Sequence, residues 1–434
     1  MENTNGKRYS FSKLSTVIDL PDLLDIQLKS FNEFMQLDVE PSKRDNQGMQ
    51  AVFKSIFPIY DSRENFCLDF VEFYIEKPKY DMDECQERGV TYSVPLKAKL
   101  RLSVKDEESG NFGETTEQVV YLGNIPFMTT RGTFIINGAE RIVVSQLHRS
   151  PGVFFDELKH PNGTKLFSAR IIPLRGSWVE FLTDISDVMY VYIDRRKKFP
   201  VTTLLRAIGY SSDKEVLQLF DLIDEIKLSD SKVKQFLGRQ SIGDVVDRET
   251  GEILLEKDAE LTEEAIDRLK KAKITTVRLL RSDSAFGPEV ISNTLKRDAA
   301  HSQQDALEAI YRQLRSGEPP DLDTAKQFLE RMFFNPKRYD LGEVGRYRLN
   351  KKLGLDTPVS TTVLTENDII TIIKYLLDMR NGHRTADDID HLGNRRIRTV
   401  GEQLSQQMSV GLSRMARTIK ERMNLRDSEK LTPQ

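Results

Sequence analysis

Only two cysteines, Cys67 and Cys85, occur in 434 residues. They lie far apart, with no CxxC pair and no histidine cluster nearby, so neither a disulfide framework nor a structural zinc site is expected. Long apolar runs are also missing. No stretch approaches the roughly 18 apolar residues of a membrane span, and the opening MENTNGKRYSFSKLSTVIDL lacks the apolar block of a secretory signal. A cytosolic location is therefore expected. The sequence has no GxGxxG, no Walker-type glycine loop, no HExxH, no GxSxG and no DxDGD-like cluster for catalytic magnesium. A small-molecule enzyme thus has no motif behind it. The net charge of −3 gives no bulk attraction to nucleic acid, so any such role must sit in local patches. Internal repeats and low-complexity linkers are absent as well.

What is present is a globular composition, 38% hydrophobic and 30% charged, on a chain long enough for about two to four domains. Residues 21–36, PDLLDIQLKSFNEFMQ, set Leu24, Leu28, Phe31 and Met35 at helical spacing and predict an amphipathic helix. From about Ala51 to Val144 the period shortens to two. TYSVPLKAKLRLSV alternates at Leu96, Ala98, Leu100 and Leu102, and EQVVYLGNIP and GTFIINGAERIVVSQ add short runs, which together predict a sheet-rich domain. Strands and helices mix between about Ser150 and Asp230. VDRETGEILLEKD then reads as two short runs about a Thr-Gly turn, followed by LTEEAIDRLKKA, a helix capped by Thr262. The rest is largely helical, including ENDIITIIKYLLDMRNG, which closes at Gly382. The clearest break is Gly317-Glu318-Pro319-Pro320, read as a loop within the helical region.

The chemistry concentrates in DDIDHLGNRRIR, Asp387 to Arg398, where three carboxylates and a histidine precede a Gly-Asn turn and three arginines. Four readings are open: a metal cluster, a phosphate cradle, a base-reading loop or a solvated charged turn. Asp387, Asp388, Asp390 and His391 lack the alternation of a calcium loop, and the arginines follow at once. A solvated turn is the common meaning of such charge runs. A base-reading loop has its own chemical logic. An unstacked guanine offers N1–H and the N2 amino group on one edge, a carboxylate accepts both, and adjacent arginines hold the neighbouring phosphates. Adenine has no matching donor pair.

Downstream, residues 391–425 carry Arg395, Arg396, Arg398, Arg414, Arg417, Lys420 and Arg422 against only Glu402 and Glu421. In MSVGLSRMARTIKERMNL, Arg414 and Arg417 share a helical face with Met415, Ile419 and Met423 behind them, as suits either a phosphate-tracking helix or a plain exposed one. His148, in SQLHRSPG, has no visible nucleophile to serve as base, which favours a structural or contact role. Trp178, the only tryptophan, follows Arg175-Gly176-Ser177 and suits a core position or a platform for a stacked base. Asn162-Gly163-Thr164 matches a glycosylation acceptor but reads as a turn in a cytosolic chain.

Five blocks taken together, GTFIINGAERIVVSQLHRSPGVFF, ARIIPLRGSW, IDRRKKFP, GEPP with FFNPKRYDLGEVGRYRLN, and DDIDHLGNRRIRTVGE, resemble the N-terminal part of the bacterial DNA-directed RNA polymerase β subunit. They run in the family's order across nearly the whole chain. The resemblance implies an α+β chain in two domains. A discontinuous protrusion of about residues 1–139 with 400–434 would carry an inserted lobe of about 141–392. It implies a cytoplasmic, nucleoid-associated subunit that forms one wall of the DNA cleft and touches single-stranded non-template DNA. The partners implied are the remainder of β, the β′ subunit, the α dimer, ω, a σ factor, promoter DNA and the RNA–DNA hybrid. No cofactor is expected on this chain; the catalytic magnesium would belong to β′, and this part alone would be catalytically silent. The rifamycin-resistance cluster would follow Gln434.

By the same resemblance Asp390 matches an aspartate that holds a non-template guanine, and Ile389, Arg395 and Arg149 match other residues of that pocket. Trp178 resembles a tryptophan that stacks on the preceding unpaired base, and Arg398 falls in the same basic block. Arg414 and Arg417 match basic protrusion residues near the single-stranded promoter. One block departs from the family: Thr115, Thr116 and Glu117 stand where well-known relatives present Ile-Lys-Glu to a repair-coupling translocase, so that contact is in question. A rival from another class is a non-enzymatic module that binds single-stranded DNA or regulatory proteins independently.

Overall fold

The computed structural model describes residues 22–105, 112–228, 233–247, 250–281, 287–315, 321–425 and 432–433. The Gly317–Pro320 break lies outside the described residues. Helices and open antiparallel sheets are mixed throughout, an α+β fold. The chain divides into two compact units, one of residues 1–148 with 397–434 and one of residues 149–396. Among the described residues no helix is long and apolar enough to cross a membrane.

The first unit is built on a four-stranded antiparallel sheet whose order follows the chain: Ile59–Tyr60, Phe66–Ile75, Ser93–Lys105 and Phe112–Pro126. The period-two reading of the third strand holds, because Val94, Leu96, Ala98, Leu100 and Leu102 are all buried. Their neighbours point outward, where Lys99 and Arg101 both reach Glu117 on the edge strand at 2.7 Å. Helices Asp25–Met35 and Gly48–Ile56 cover the apolar face, with the rings of Phe53 and Phe70 stacked at 4.5 Å. The first helix has Leu24 at its N-cap, with helical dihedrals and its carbonyl accepting the Leu28 N–H at 3.1 Å. Leu24 is nevertheless exposed, and the buried face is Phe31, Phe34 and Met35, which corrects the expected contribution of Leu24 to that face.

A 26-residue helix, Val400–Leu425, returns to this unit and adds Val400, Leu412 and Met423 to its core. Its start fits only because residue 401 is glycine, as a Cβ there would lie 2.1 Å from the carbonyl oxygen of Ser30.

The second unit has a five-stranded antiparallel meander, in order Phe199–Pro200, Met189–Ile193, Val179–Thr183, Lys165–Ile172 and Gly152–Lys159. Phe155, Phe181 and Val191 from the sheet pack with Leu204, Ile372, Ile373 and Leu376 from the helices in one large core. A smaller core, with Ile226, Leu255, Leu269 and Val277, joins the strand pair Ile223–Lys227 and Thr276–Leu280 to the strand Ile253–Leu255 and the helix Glu263–Lys271. Thr262 caps that helix as expected, its hydroxyl accepting the Ala265 N–H at 3.2 Å. Among the described residues Arg346 and Arg206 are fully buried. Arg346 meets the carboxylate of Asp368 at 2.8 Å with neither side chain exposed, and Arg206 pairs with Asp213 and lies 3.5 Å from Asp298.

Candidate nucleic-acid interface

The segment Asp387 to Asn394 is irregular, with a short 3-10 turn at Leu392–Asn394, yet both of its ends are tied down. At the start, the Asp387 backbone N–H donates to the Phe155 carbonyl at 2.8 Å, and one of its carboxylate oxygens accepts the Phe155 N–H at 2.9 Å. The other oxygen takes the ammonium of Lys352. Burial opposes that ammonium, but hydrogen bonds to Asp387 and Tyr375 outweigh it and raise Lys352 above its ordinary value. At the far end, the guanidinium of Arg348 donates to the Gly393 carbonyl at 2.7 Å and to Asn394 Oδ1 at 2.5 Å. The Asn394 carbonyl also accepts the Ser150 N–H at 3.0 Å.

Between these anchors the turn is closed internally. Asp388 Oδ1 accepts the Asp390 N–H at 3.1 Å, the Asp388 carbonyl accepts the Asn394 amide at 2.5 Å, and His391 Nδ1 accepts the Gly393 N–H at 3.0 Å. The three aspartates, equivalent in the sequence, thus have different tasks. Asp387 is spent on the anchor and Asp388 on the turn. Asp390 is exposed, and among the described residues its carboxylate accepts no hydrogen bond and pairs with no cation. Arg395, also exposed, enters no ion pair among them either. Among the described residues no group of three or more His, Cys, Asp or Glu side chains is placed to hold a metal ion.

The strand Arg395–Arg398 pairs with the strand Gln146–Arg149. Together with the Ser150–Asn394 bond, this pairing brings Arg149 to the stretch that holds Ile389, Asp390 and Arg395; Ile389 is half-buried. Trp178 stands elsewhere in the unit, before the strand Val179–Thr183 and 37% exposed, with no hydrogen bond, ion pair or ring contact to the loop among the described residues. Its backbone is held from both sides, since its N–H donates to Asp194 Oδ1 at 2.8 Å and its carbonyl accepts the Asp194 N–H at 2.9 Å. An indole this exposed on a backbone held from both sides is not a core residue.

In the first unit, Arg414 and Arg417 are exposed on the return helix, free of ion pairs among the described residues, while Leu412 and Met423 are buried and Met415 and Ile419 pack against the core behind them. Arg398 is more committed: it lies 3.7 Å from Glu402 and donates to Gln406 Oε1 at 3.2 Å. Thr115, Thr116 and Glu117 fall on the edge strand, with both threonines exposed and Glu117 hydrogen-bonded by Lys99 and Arg101, which hold its carboxyl below the usual range.

The residues that sequence reasoning missed are Arg348 and Lys352, four apart on the helix Gly342–Leu353. Their i, i+4 spacing was visible, but their partners lie 45 and 35 residues downstream.

A family model described as RNA polymerase Rpb2, domain 2, matches residues 149–276 and 261–398, more than half of the chain. The chain belongs to the RNA polymerase Rpb2 family. Proteins of Flavobacterium psychrophilum and Cytophaga hutchinsonii, each named DNA-directed RNA polymerase subunit beta, are 52% identical to it, over 100% and 99% of the chain. A Porphyromonas gingivalis protein of the same name is 51% identical over 99%. The chain spans 35% of the length of the first two of these Rpb2-family relatives. The matched residues 149–398 include the loop, its anchoring helix and Trp178, while Arg414 and Arg417 lie beyond them.

Proposed function

We propose that the chain supplies the DNA-contacting N-terminal part of the β subunit of a multisubunit bacterial RNA polymerase, the first unit as protrusion and the second as lobe. In the complete enzyme it forms one wall of the DNA cleft during templated RNA synthesis. Its partners there are the rest of β, β′, the α dimer, ω and a σ factor, with magnesium held by β′. The loop Asp387–Asn394 reads an unpaired guanine of the non-template strand. Asp390 accepts the N1–H and N2–H donors, Arg395 and Arg149 hold the flanking phosphates, and Ile389 packs against the base. Trp178 stacks on the preceding base, and Arg414 and Arg417 track the backbone.

One observation carries this reading: of three neighbouring aspartates, two are consumed in holding the loop and the third is exposed and, among the described residues, unpaired. A solvated charged turn has no need of two anchors, and a phosphate cradle has no need of a free carboxylate. The test is reconstitution of polymerase with wild-type or Asp390→Ala subunit, measuring affinity for non-template strands that carry guanine or adenine at the read position. Two charge-assisted hydrogen bonds are at stake, each worth about 1.5–3 kcal/mol when desolvated. A loss of guanine preference of about tenfold or more is expected while RNA synthesis persists. Unchanged preference in an assembled, active enzyme sinks the assignment.

A further inference from the structure

We propose that Arg348 and Lys352 are positioning residues that set the base specificity of the Asp387–Asn394 loop, holding its two ends from one face of a single helix. The inference rests on the base-reading role of Asp390 for its functional consequence, but its structural half stands alone.

The geometry is that of a two-point brace. Residues four apart on a helix lie one above the other on the same face. Lys352 holds Asp387 at the loop's entrance and Arg348 holds Gly393 and Asn394 at its exit, so the five residues between them, 388–392, are suspended from one rigid element. The helix itself has little freedom to move. Arg346, two residues from Arg348 and fully buried, joins it to Asp368 of the helix Glu366–Arg380 and to the carbonyls of Thr361 and Val363. Arg348 also lies over the Phe154 ring at 5.5 Å, and Lys352 lies 5.3 Å from the Tyr375 ring, which stacks on Phe155 at 4.0 Å. The brace is therefore seated on the core of the unit. A carboxylate that must accept two donors from one base edge, and reject a base that lacks them, discriminates only while its position is fixed. A loosened loop can turn Asp390 toward water or let it follow the wrong base.

The experiment uses the full-length subunit assembled into polymerase, with Arg348→Met and Lys352→Met together, Lys352→Arg as the conservative variant and Asp390→Ala as the reference. Hydrogen exchange is read at the amides of Asp387, Asp390, Gly393 and Asn394, all hydrogen-bonded here, and affinity is read for non-template strands with guanine or adenine. The double variant is expected to exchange these amides on the order of tenfold faster. It should lose guanine preference to the extent that Asp390→Ala does, on the order of tenfold, with adenine-strand affinity and exchange in the helix Glu366–Arg380 unchanged. Lys352→Arg should retain both protection and preference. A merely structural role would lower affinity for both strands together. Unchanged exchange at the loop overturns the brace whatever happens to binding. Faster exchange with full guanine preference, where Asp390→Ala abolishes it, overturns the specificity role. If Asp390→Ala itself leaves preference intact, the base-reading assignment and the specificity role fall together, and the exchange data still decide the brace.

Discussion

Replacing Arg346 with methionine should be among the most destabilising single changes in the second unit. Arg346 and Asp368 are both fully buried, and three guanidinium nitrogens are used: Nε donates to the Thr361 carbonyl at 2.7 Å, Nη1 to Asp368 Oδ1 at 2.8 Å, and Nη2 to the Val363 carbonyl. Methionine fills much of the volume but leaves a buried carboxylate oxygen and two carbonyls without donors. Removing one partner of a buried pair costs about 3–5 kcal/mol, against a total stability of about 5–15 kcal/mol for a typical domain. Asp368 has a second task, since its other oxygen accepts the Thr365 N–H at 2.7 Å in a capping box, so Asp368→Asn keeps an acceptor there. Combining Arg346→Met with Asp368→Asn removes the orphaned charge and should recover part of the loss, a coupling of about 2 kcal/mol. Urea denaturation of the chain followed by tryptophan fluorescence measures this, because the only tryptophan, Trp178, lies in this unit. With an m-value near 3 kcal/mol/M, the expected loss moves the midpoint by about 1–1.7 M. A shift below about 0.3 M at unchanged m, or a double variant no more stable than the two single losses added together, refutes the argument.

Three further outcomes follow from other parts of the molecule. Arg414→Ala with Arg417→Ala should weaken single-stranded DNA binding by assembled polymerase for every sequence alike and reduce the slope of log affinity against log salt by about 1.4; a sequence-selective loss would contradict a phosphate role. Burial works to raise the Asp213 carboxyl, but hydrogen bonds from Lys257 and Arg206 outweigh it and hold it below the usual range. Its contribution to stability is therefore present above the unfolded value of about 3.9 and lost as pH falls through the lower folded value, so urea midpoints should decline below about pH 4 in the wild type and less steeply in Asp213→Asn. Gly401→Ala should destabilise the first unit by about 1–3 kcal/mol, measured by circular dichroism in urea, because the new Cβ meets backbone at Ser30 and one element must shift; a loss under about 0.5 kcal/mol would mean that the return helix moves away freely.

What the sequence made legible was local. Alternation at Leu96, Ala98, Leu100 and Leu102 announced a half-buried strand because side-chain direction in a strand depends only on parity. Thr262 announced a helix start because its partner, the Ala265 N–H, is three residues away. Gly382 takes a left-handed conformation just past the helix Glu366–Arg380, where its missing Cβ removes the steric penalty. Leu24 misled because periodicity identifies a face without fixing how much of its length is covered. The buried arginines were illegible for the opposite reason. Nothing local separates Arg346 from exposed Arg331, and the groups that make its burial tolerable, the Thr361 and Val363 carbonyls and Asp368, lie 15, 17 and 22 residues on.

The candidate site shows the same division more sharply. Motif matching singles out DDIDHLGNRRIR as one charged block, and the resemblance selects Asp390 within it, but neither explains why its neighbours are acidic. Asp387 is acidic because Lys352 and the Phe155 N–H converge on it, and Asp388 because an Asx-type turn needs an acceptor two residues before the Asp390 N–H. Those tasks have different chemical tolerances. Asparagine at 388 keeps the turn's acceptor, at 387 it keeps the backbone bond while losing the charge that faces Lys352, and at 390 it replaces one of the two acceptors offered to guanine with a donor. The order of damage to base preference should therefore be Asp390→Asn, then Asp387→Asn, then Asp388→Asn, an order that a uniform acidic patch would not produce.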